Sequence, residues 1–406
     1  MRSLWYSPTL RTVVIYGASG LGFAGANLIL ARFLPTSEYA LFTLYIALAN
    51  LSFALAPIGV DGMVQRHHLD AGPTLLKHTL GAGLVTGVGT MLVGGLAYDL
   101  QPGLLILVFA STVGGGAMAV AGAQFQSEQR YGLSLALTQS PNLMLMVAAL
   151  AVIATGTREA HLALIISSLG FVLAGILGWW ILFRERASKL HRDTRFPWTE
   201  ALSIFGLNAA GLLLIQLDRL IIPHVLTLHD LATFGVLAAI AGSLYRVLSM
   251  GVGYSLVARL RAAGSIMERR HLIAHEAKLV SVIIVAGSLV IWFLTPWIER
   301  AFLAGKYHLS GALLAATVFS GIIKIVNSFT KSTVTALATA GEVALVNLLG
   351  WVSVGVAIAA AIFGARWGLA GVIYGVALGW LLRAITAFYV TLRHLKLPKS
   401  VPVTAR

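Results

Sequence analysis

Residues 12–31 read TVVIYGASGLGFAGANLILA, and residues 40–59 read ALFTLYIALANLSFALAPIG. Neither run holds an acid or a base. Each is twenty residues long, the length a helix needs to cross a hydrocarbon core of ~30 Å. Between them lies a short polar turn with Arg32, Pro35, Thr36, Ser37 and Glu38. Two spans joined by one tight turn make a membrane hairpin. The first run also contains Gly20, Gly22 and Gly25, spelling G-x-G-x-x-G. A dinucleotide fold would need a second strand ending in an acid about twenty residues later. A second membrane-length run follows instead, so the glycines read as close-packing positions between helices in lipid.

The hairpin pattern repeats to the end of the chain. Hydrophobic residues make up 58% of the sequence and charged residues 11%, where a soluble domain carries about 25% charged. With a mean hydropathy of +0.86, the chain reads as an all-α, polytopic membrane protein. Twelve spans are predicted, at 12–31, 40–60, 80–98, 103–123, 135–155, 162–183, 201–222, 231–257, 279–298, 311–330, 344–363 and 368–392. Unpaired backbone facing lipid is not tolerated, so these should be helices. The residues before the first span are too few for the n- and h-regions of a cleaved signal peptide, and the span is expected to stay.

The net charge of +14 would suit nucleic acid, but the bases sit between apolar spans and read as membrane-surface charge. Twenty Lys and Arg fall on the side of the N-terminus. Five fall on the other side: Arg32, Arg158, Arg300, Lys306 and Arg366. That bias predicts both termini in the cytoplasm. The charged stretch 184–200 divides the spans six and six, giving lobes at 1–190 and 191–406. An even number per half leaves the halves in the same orientation, and such parallel repeats hold a site where the halves meet. EYALF after the first span and TFGVL after the seventh are a faint echo of that repeat. Pro57, Pro141 and Pro296 fall inside the second, fifth and ninth spans, where each removes a helix hydrogen bond.

Four bases remain within spans: Arg219, Arg246, Lys324 and Arg383. They face one acid, Asp218. A base at mid-span costs ~2.5–3.5 kcal/mol on insertion scales, so it normally faces a cavity or a partner. One acid cannot pair four bases, and the surplus points to an anionic ligand or a wet cavity. Arg246 shares a helical face with Gly235, Ala239, Gly242, Ser249 and Gly253. Lys324, Asn327, Ser328 and Lys331 form a polar stripe at helical spacing, and Asn208 shares a face with Arg219. Asp218, Arg219 and Arg383 could instead reach the headgroups. The first half offers only neutral groups within its spans, such as Asn27, Asn50 and Asn142.

There is no cysteine, which excludes disulfides and thiolate metal sites. His67 and His68 with Asp61 and Asp70 are the nearest approach to a metal set, and they read as solvated loop residues. No cofactor, metal or nucleic-acid partner is expected. A membrane polymerase or ligase would need a sizeable outer loop for its chemistry, and the longest here covers about residues 299–310. A drug or cation extruder would want buried acids, which the first-half spans lack.

The stretch ARFLPTSEYALFTLYIALANLSFALAPIGVDGMVQR resembles the opening of the Wzx-type polysaccharide flippases, members of the multidrug/oligosaccharidyl-lipid/polysaccharide flippase superfamily. The residues that carry the likeness are Arg32, Leu34, Glu38, Tyr39, Gly59, Val60 and Asp61. Ala40 stands where the family usually has glycine. LDRLIIPHVLTLHDLATFGVLA resembles the second-half counterpart through Asp218, Arg219 and Phe234-Gly235. RWGLAGVIYG resembles the approach to the last spans. The resemblance implies a twelve-helix, two-lobe fold with a central cavity, related to multidrug and toxic-compound extruders (MATE) and working by alternating access. It implies a non-enzymatic flippase moving undecaprenyl-diphosphate-linked oligosaccharide across the bacterial inner membrane for surface polysaccharide such as lipopolysaccharide or exopolysaccharide. Membrane lipids, a polysaccharide polymerase and chain-length machinery would be its partners. Arg and Lys are natural partners for a diphosphate. The candidate substrate residues are therefore Arg246, Lys324, Arg219, Arg383, Asn327, Lys331 and Asn208, with Asp218 as a candidate for ion coupling.

Overall fold

A computed structural model describes residues 8–186, 196–242, 245, 256, 260 and 263–395. The helices are α1 (Pro8–Phe33), α2 (Thr36–Leu55), α3 (Val60–His67), α4 (Pro73–Tyr98), α5 (Pro102–Ser127), α6 (Tyr131–Thr155) and α7 (His161–Arg186). They continue as α8 (Trp198–Val225), α9 (Leu228–Leu237), α10 (Ile266–Trp297), α11 (Gly311–Leu337), α12 (Ala340–Gly364) and α13 (Gly368–Leu395). Among the described residues the chain is helical and has no strand. Among the described residues nine stretches are long and apolar enough to cross a membrane; the last, Gly341–Leu395, runs through both α12 and α13. The protein is a multi-pass membrane protein.

Local chemistry sets the helix ends. Pro73 and Pro102 open α4 and α5, where a missing N–H costs nothing. Thr227 with Asp230 and Thr339 with Glu342 form capping boxes on α9 and α12, and Ser265 and Ser310 cap α10 and α11. These side chains satisfy orphan N–H groups at the points where helices begin.

The second span differs from its prediction. It ends at Leu55, and residues 56–59 form a turn before the short α3. Pro57 therefore lies in a break between helices rather than kinking one. Gly59 has φ +83°, and a Cβ there would come within 2.0 Å of the Ala201 carbonyl oxygen. Glycine is required both by the backbone conformation and by the approach of α8. Pro141 lies inside α6 and Pro296 in the last turn of α10, as the sequence suggests. In the eighth predicted span α9 runs into a π-helical turn, Ala238–Gly242, and beyond it only Tyr245 and Leu256 of that span are described, both helical.

Packing repeats between the two halves of the chain. In the first half α1 packs on α6, α4 on α5, α5 on α7, and α6 on α7. In the second, α8 packs on α12, α10 on α11, α11 on α13, and α12 on α13. Lipid gives helices no hydrophobic drive to associate, so close backbone approach supplies the attraction. In the first half that approach is tight: a Cβ on Gly114 of α5 would lie 2.7 Å from Val172 Cα on α7. Tyr45 links the same region, its hydroxyl 2.5 Å from Ser168 Oγ and 3.2 Å from Ser111 Oγ. The halves meet through α2, which packs on both α8 and α9.

A second tie joins the halves at the end of the bundle holding the α1–α2 turn. Lys306, between α10 and α11, donates to the Ala31 carbonyl at 2.8 Å and to the Leu34 carbonyl. The buried Tyr307 donates to the Ala31 carbonyl at 3.2 Å. The ammonium thus sits at the C-terminal end of α1, where the helix dipole favours a cation.

Candidate functional site

A cavity of about 600 Å³ lies beside α8. Its wall is built by helical spacing. On α8, Asn208, Gly211, Leu212, Ile215, Asp218 and Arg219 recur every three or four residues, so one face of the helix turns inward. On α11 the same rule aligns Thr317, Ser320, Gly321, Lys324, Asn327, Ser328 and Lys331. Ile373, Trp380 and Arg383 come from α13. Phe234 comes from α9, Ala238, Ala241 and Gly242 from its π-helical extension, and Tyr245 from just beyond it. A π-helical turn widens a helix locally and often marks a functional position.

The predicted residues Asn208, Asp218, Arg219, Lys324, Asn327, Lys331 and Arg383 are thus brought to one cavity. Arg246 lies outside the described residues; its neighbour Tyr245 lines the wall. The cavity is less symmetric than the predicted meeting point of two halves. Among the described residues, only Ala54, Gly59, Asp61 and Ala119 of its lining come from the first half. The reading of Arg219 and Arg383 as headgroup-seeking gives way to burial: they are 7% and 4% exposed.

Charge is unevenly matched. Arg219, Lys324, Lys331 and Arg383 line the cavity against Asp61 and Asp218. Lys324 Nζ stands 3.4 Å from Asp218 Oδ2, the lysine one-third exposed and the aspartate 2% exposed. Arg219 Nη1 donates to Gln216 Oε1 at 3.0 Å. Five buried polar atoms on this wall have no hydrogen-bond partner among the described residues: Asp218 Oδ1, Ser320 Oγ, Asn327 Oδ1, Trp380 Nε1 and Arg383 Nη1. Each such group left unpaired costs ~1–3 kcal/mol. Concentrating five on one wall is characteristic of a site that receives a polar ligand or water.

Sequence reasoning missed Asp61, Ser320 and Trp380. Asp61 read as a loop acid because its run of apolar neighbours ends there. The α2–α3 break turns it back into the cavity wall, and burial pushes its carboxyl above the ordinary carboxylate range. His67, weighed with it as a metal ligand, instead bonds Glu200 through Nε2 at 3.0 Å, and Arg66 bonds the same carboxylate at 2.8 Å. Among the described residues no group of His, Asp or Glu could hold a metal ion.

No family model matches the sequence, and no curated protein matches it. Solved structures do resemble it. The fold is that of MATE and MurJ transporters. The lipid II flippase MurJ, in an inward closed conformation, has a TM-score of 0.65 at 10% identity, covering 94% of this chain and 87% of that one. An outward-facing multidrug resistance MATE transporter of the MOP superfamily has a TM-score of 0.61 at 15% identity, covering 95% and 94%. A MOP superfamily transporter from Pyrococcus furiosus, described as having a binding pocket of reversed polarity, has a TM-score of 0.56 at 14% identity.

Proposed function

We propose that this protein is a flippase that carries undecaprenyl-diphosphate-linked oligosaccharide repeat units across the bacterial inner membrane by alternating access. One observation carries the reading: a membrane-depth cavity in which four bases outnumber two acids. A diphosphate head brings the missing negative charge, and Arg and Lys bind it at close range. The apolar tail would stay in lipid. Arg219, Lys324, Lys331 and Arg383 would hold the head, Arg246 would join them, and Asn208 and Asn327 would offer neutral hydrogen bonds. Asp218 would couple an ion. The likeness to MurJ, a lipid II flippase, supports a lipid-linked cargo.

In this reading twelve spans form two six-helix lobes, residues 1–190 and 191–406, with both termini in the cytoplasm. The repeated packing of the halves supports the division. A polysaccharide polymerase and its chain-length machinery would receive the flipped unit. Deletion of the gene should leave lipid-linked repeat units on the cytoplasmic face and reduce surface polysaccharide. Normal export in a strain with no second flippase would count against the cargo.

A second reading is a MATE-type antiporter of drugs or cations. It is favoured by the shared fold and by two carboxylates, Asp61 and Asp218, on the cavity wall. The two readings separate in proteoliposomes. A flippase moves a polyprenyl-diphosphate oligosaccharide and ignores ethidium; an antiporter does the reverse. The pyrococcal relative, with its pocket described as reversed in polarity, supports different functions on this fold.

A further inference from the structure

The cavity holds its bases at two depths. Lys324 Nζ sits 3.4 Å from Asp218 Oδ2. The Arg383 guanidinium lies against Gly211 instead: a Cβ built there would be 2.8 Å from Nη1. Asp218 and Gly211 are two turns apart on α8, as Lys324 and Lys331 are on α11. Two turns are about 10.5 Å along a helix axis, so both helices separate the same two levels.

The levels differ in charge balance. At the first, the Asp218 carboxylate answers the Lys324 ammonium, and Arg219 beside them bonds Gln216. At the second, two bases, Lys331 and Arg383, line the cavity together. Arg383 is 4% exposed, and its Nη1 has no hydrogen-bond partner among the described residues. Trp380, one turn earlier on α13, has its Nε1–H equally unpartnered. The other acid of the cavity, Asp61, is on α3; Gly59 just before that helix packs on Ala201, and Gly62 within it packs on Ile204. That contact lies about two turns of α8 beyond Gly211. A buried arginine with an open donor beside a lysine exposed to the cavity, with no acid at their level among the described residues, describes a site shaped for an anion.

We propose that the cavity contains two phosphate subsites. Lys331 and Arg383 form the open one, which receives a phosphate or diphosphate ester first. Lys324 forms the second, which Asp218 occupies as a built-in substitute anion until an incoming phosphate displaces it. The proposal deepens the flippase reading and rests on it for the source of the phosphate, a lipid headgroup.

The test uses the full-length protein in nanodiscs, titrated calorimetrically with inorganic pyrophosphate. The parent should bind one equivalent. Lys331→Gln and Arg383→Gln should each weaken binding at least tenfold. Asp218→Asn should leave the first site intact and add a second equivalent at Lys324. Lys331 is exposed within the cavity, so its variant serves if loss of the buried arginine prevents folding. Absence of pyrophosphate binding, unchanged binding by Lys331→Gln, or no second equivalent in Asp218→Asn would overturn the subsites, even if the protein still flips lipid. Competition by undecaprenyl diphosphate assigns the phosphate to a lipid headgroup. Pyrophosphate binding that this lipid cannot displace leaves the subsites standing and assigns them to a free phosphate compound, against the flippase reading.

Discussion

A buried charge is tolerable only in proportion to what answers it. Asp218 is 2% exposed, one oxygen is 3.4 Å from Lys324 and the other has no partner among the described residues. Removing the ammonium strands the carboxylate. Lys324→Met should therefore cost ~3–5 kcal/mol of stability, and adding Asp218→Asn should restore most of it. Thermal unfolding of the two variants in detergent checks this. Asp61 supplies the pH dependence. Burial raises its carboxyl above the ordinary value, so between those two values the folded state holds more protons than the unfolded one. Stability then falls as pH rises through that window. Asp61→Asn removes the penalty. Relative to this variant, the parent should lose stability on going from acid to neutral pH, and an unchanged difference across that range would count against the assignment. Arg66 and His67 stand nearby on α3, but their partner is Glu200.

Helices here are held by how closely their backbones approach. The α5–α7 contact at Gly114 has no room for a methyl group, with Val172 Cα 2.7 Å from the place it would take. Gly114→Ala should destabilise by about 1–3 kcal/mol, the usual cost of overpacking, read as a lower unfolding temperature. The same crowding accounts for the uneven charge of the two halves. In the first half, Gly114, Gly115 and Gly116 let α7, α2 and the turn after α2 approach α5 closely, so no space remains there for a long polar side chain. Helix α11, which repeats the packing of α5 on its neighbours, carries Ser320, Lys324, Asn327 and Lys331 on the face that lines the cavity. The tie from Lys306 to the end of α1 predicts a conformational effect. Lys306→Ala removes charge-assisted bonds worth ~1.5–3 kcal/mol each and should loosen that end of the bundle. The chain lacks cysteine, so a single Ser320→Cys can report it: in the Lys306→Ala background it should react severalfold faster with a water-soluble thiol reagent added from that side. Equal rates would mean that the tie does not hold that end shut.

At the scale of the whole molecule, transport by alternating access needs two halves that move as units about a shared site. The packing repeated between the halves supports that proposal, and α2 with α8 and α9 supplies most of the contact between the halves. What the sequence determined by itself was everything that depends on one-dimensional periodicity. Uncharged runs of membrane length had to become helices, because lipid offers the backbone no other partner. The stripe at 324, 327, 328 and 331 had to share one face, because a helix repeats every 3.6 residues. Tertiary structure alone decided which faces meet. Nothing local tells Arg383 that Gly211 leaves room for its guanidinium, or tells Lys324 that Asp218, 106 positions earlier, will answer it. Nor could a run of apolar letters show that it breaks at Pro57 and turns Asp61 toward α8. Those outcomes depend on where helices distant in the chain come to rest. That is set by summed backbone contact across the bundle, a quantity no single stretch contains.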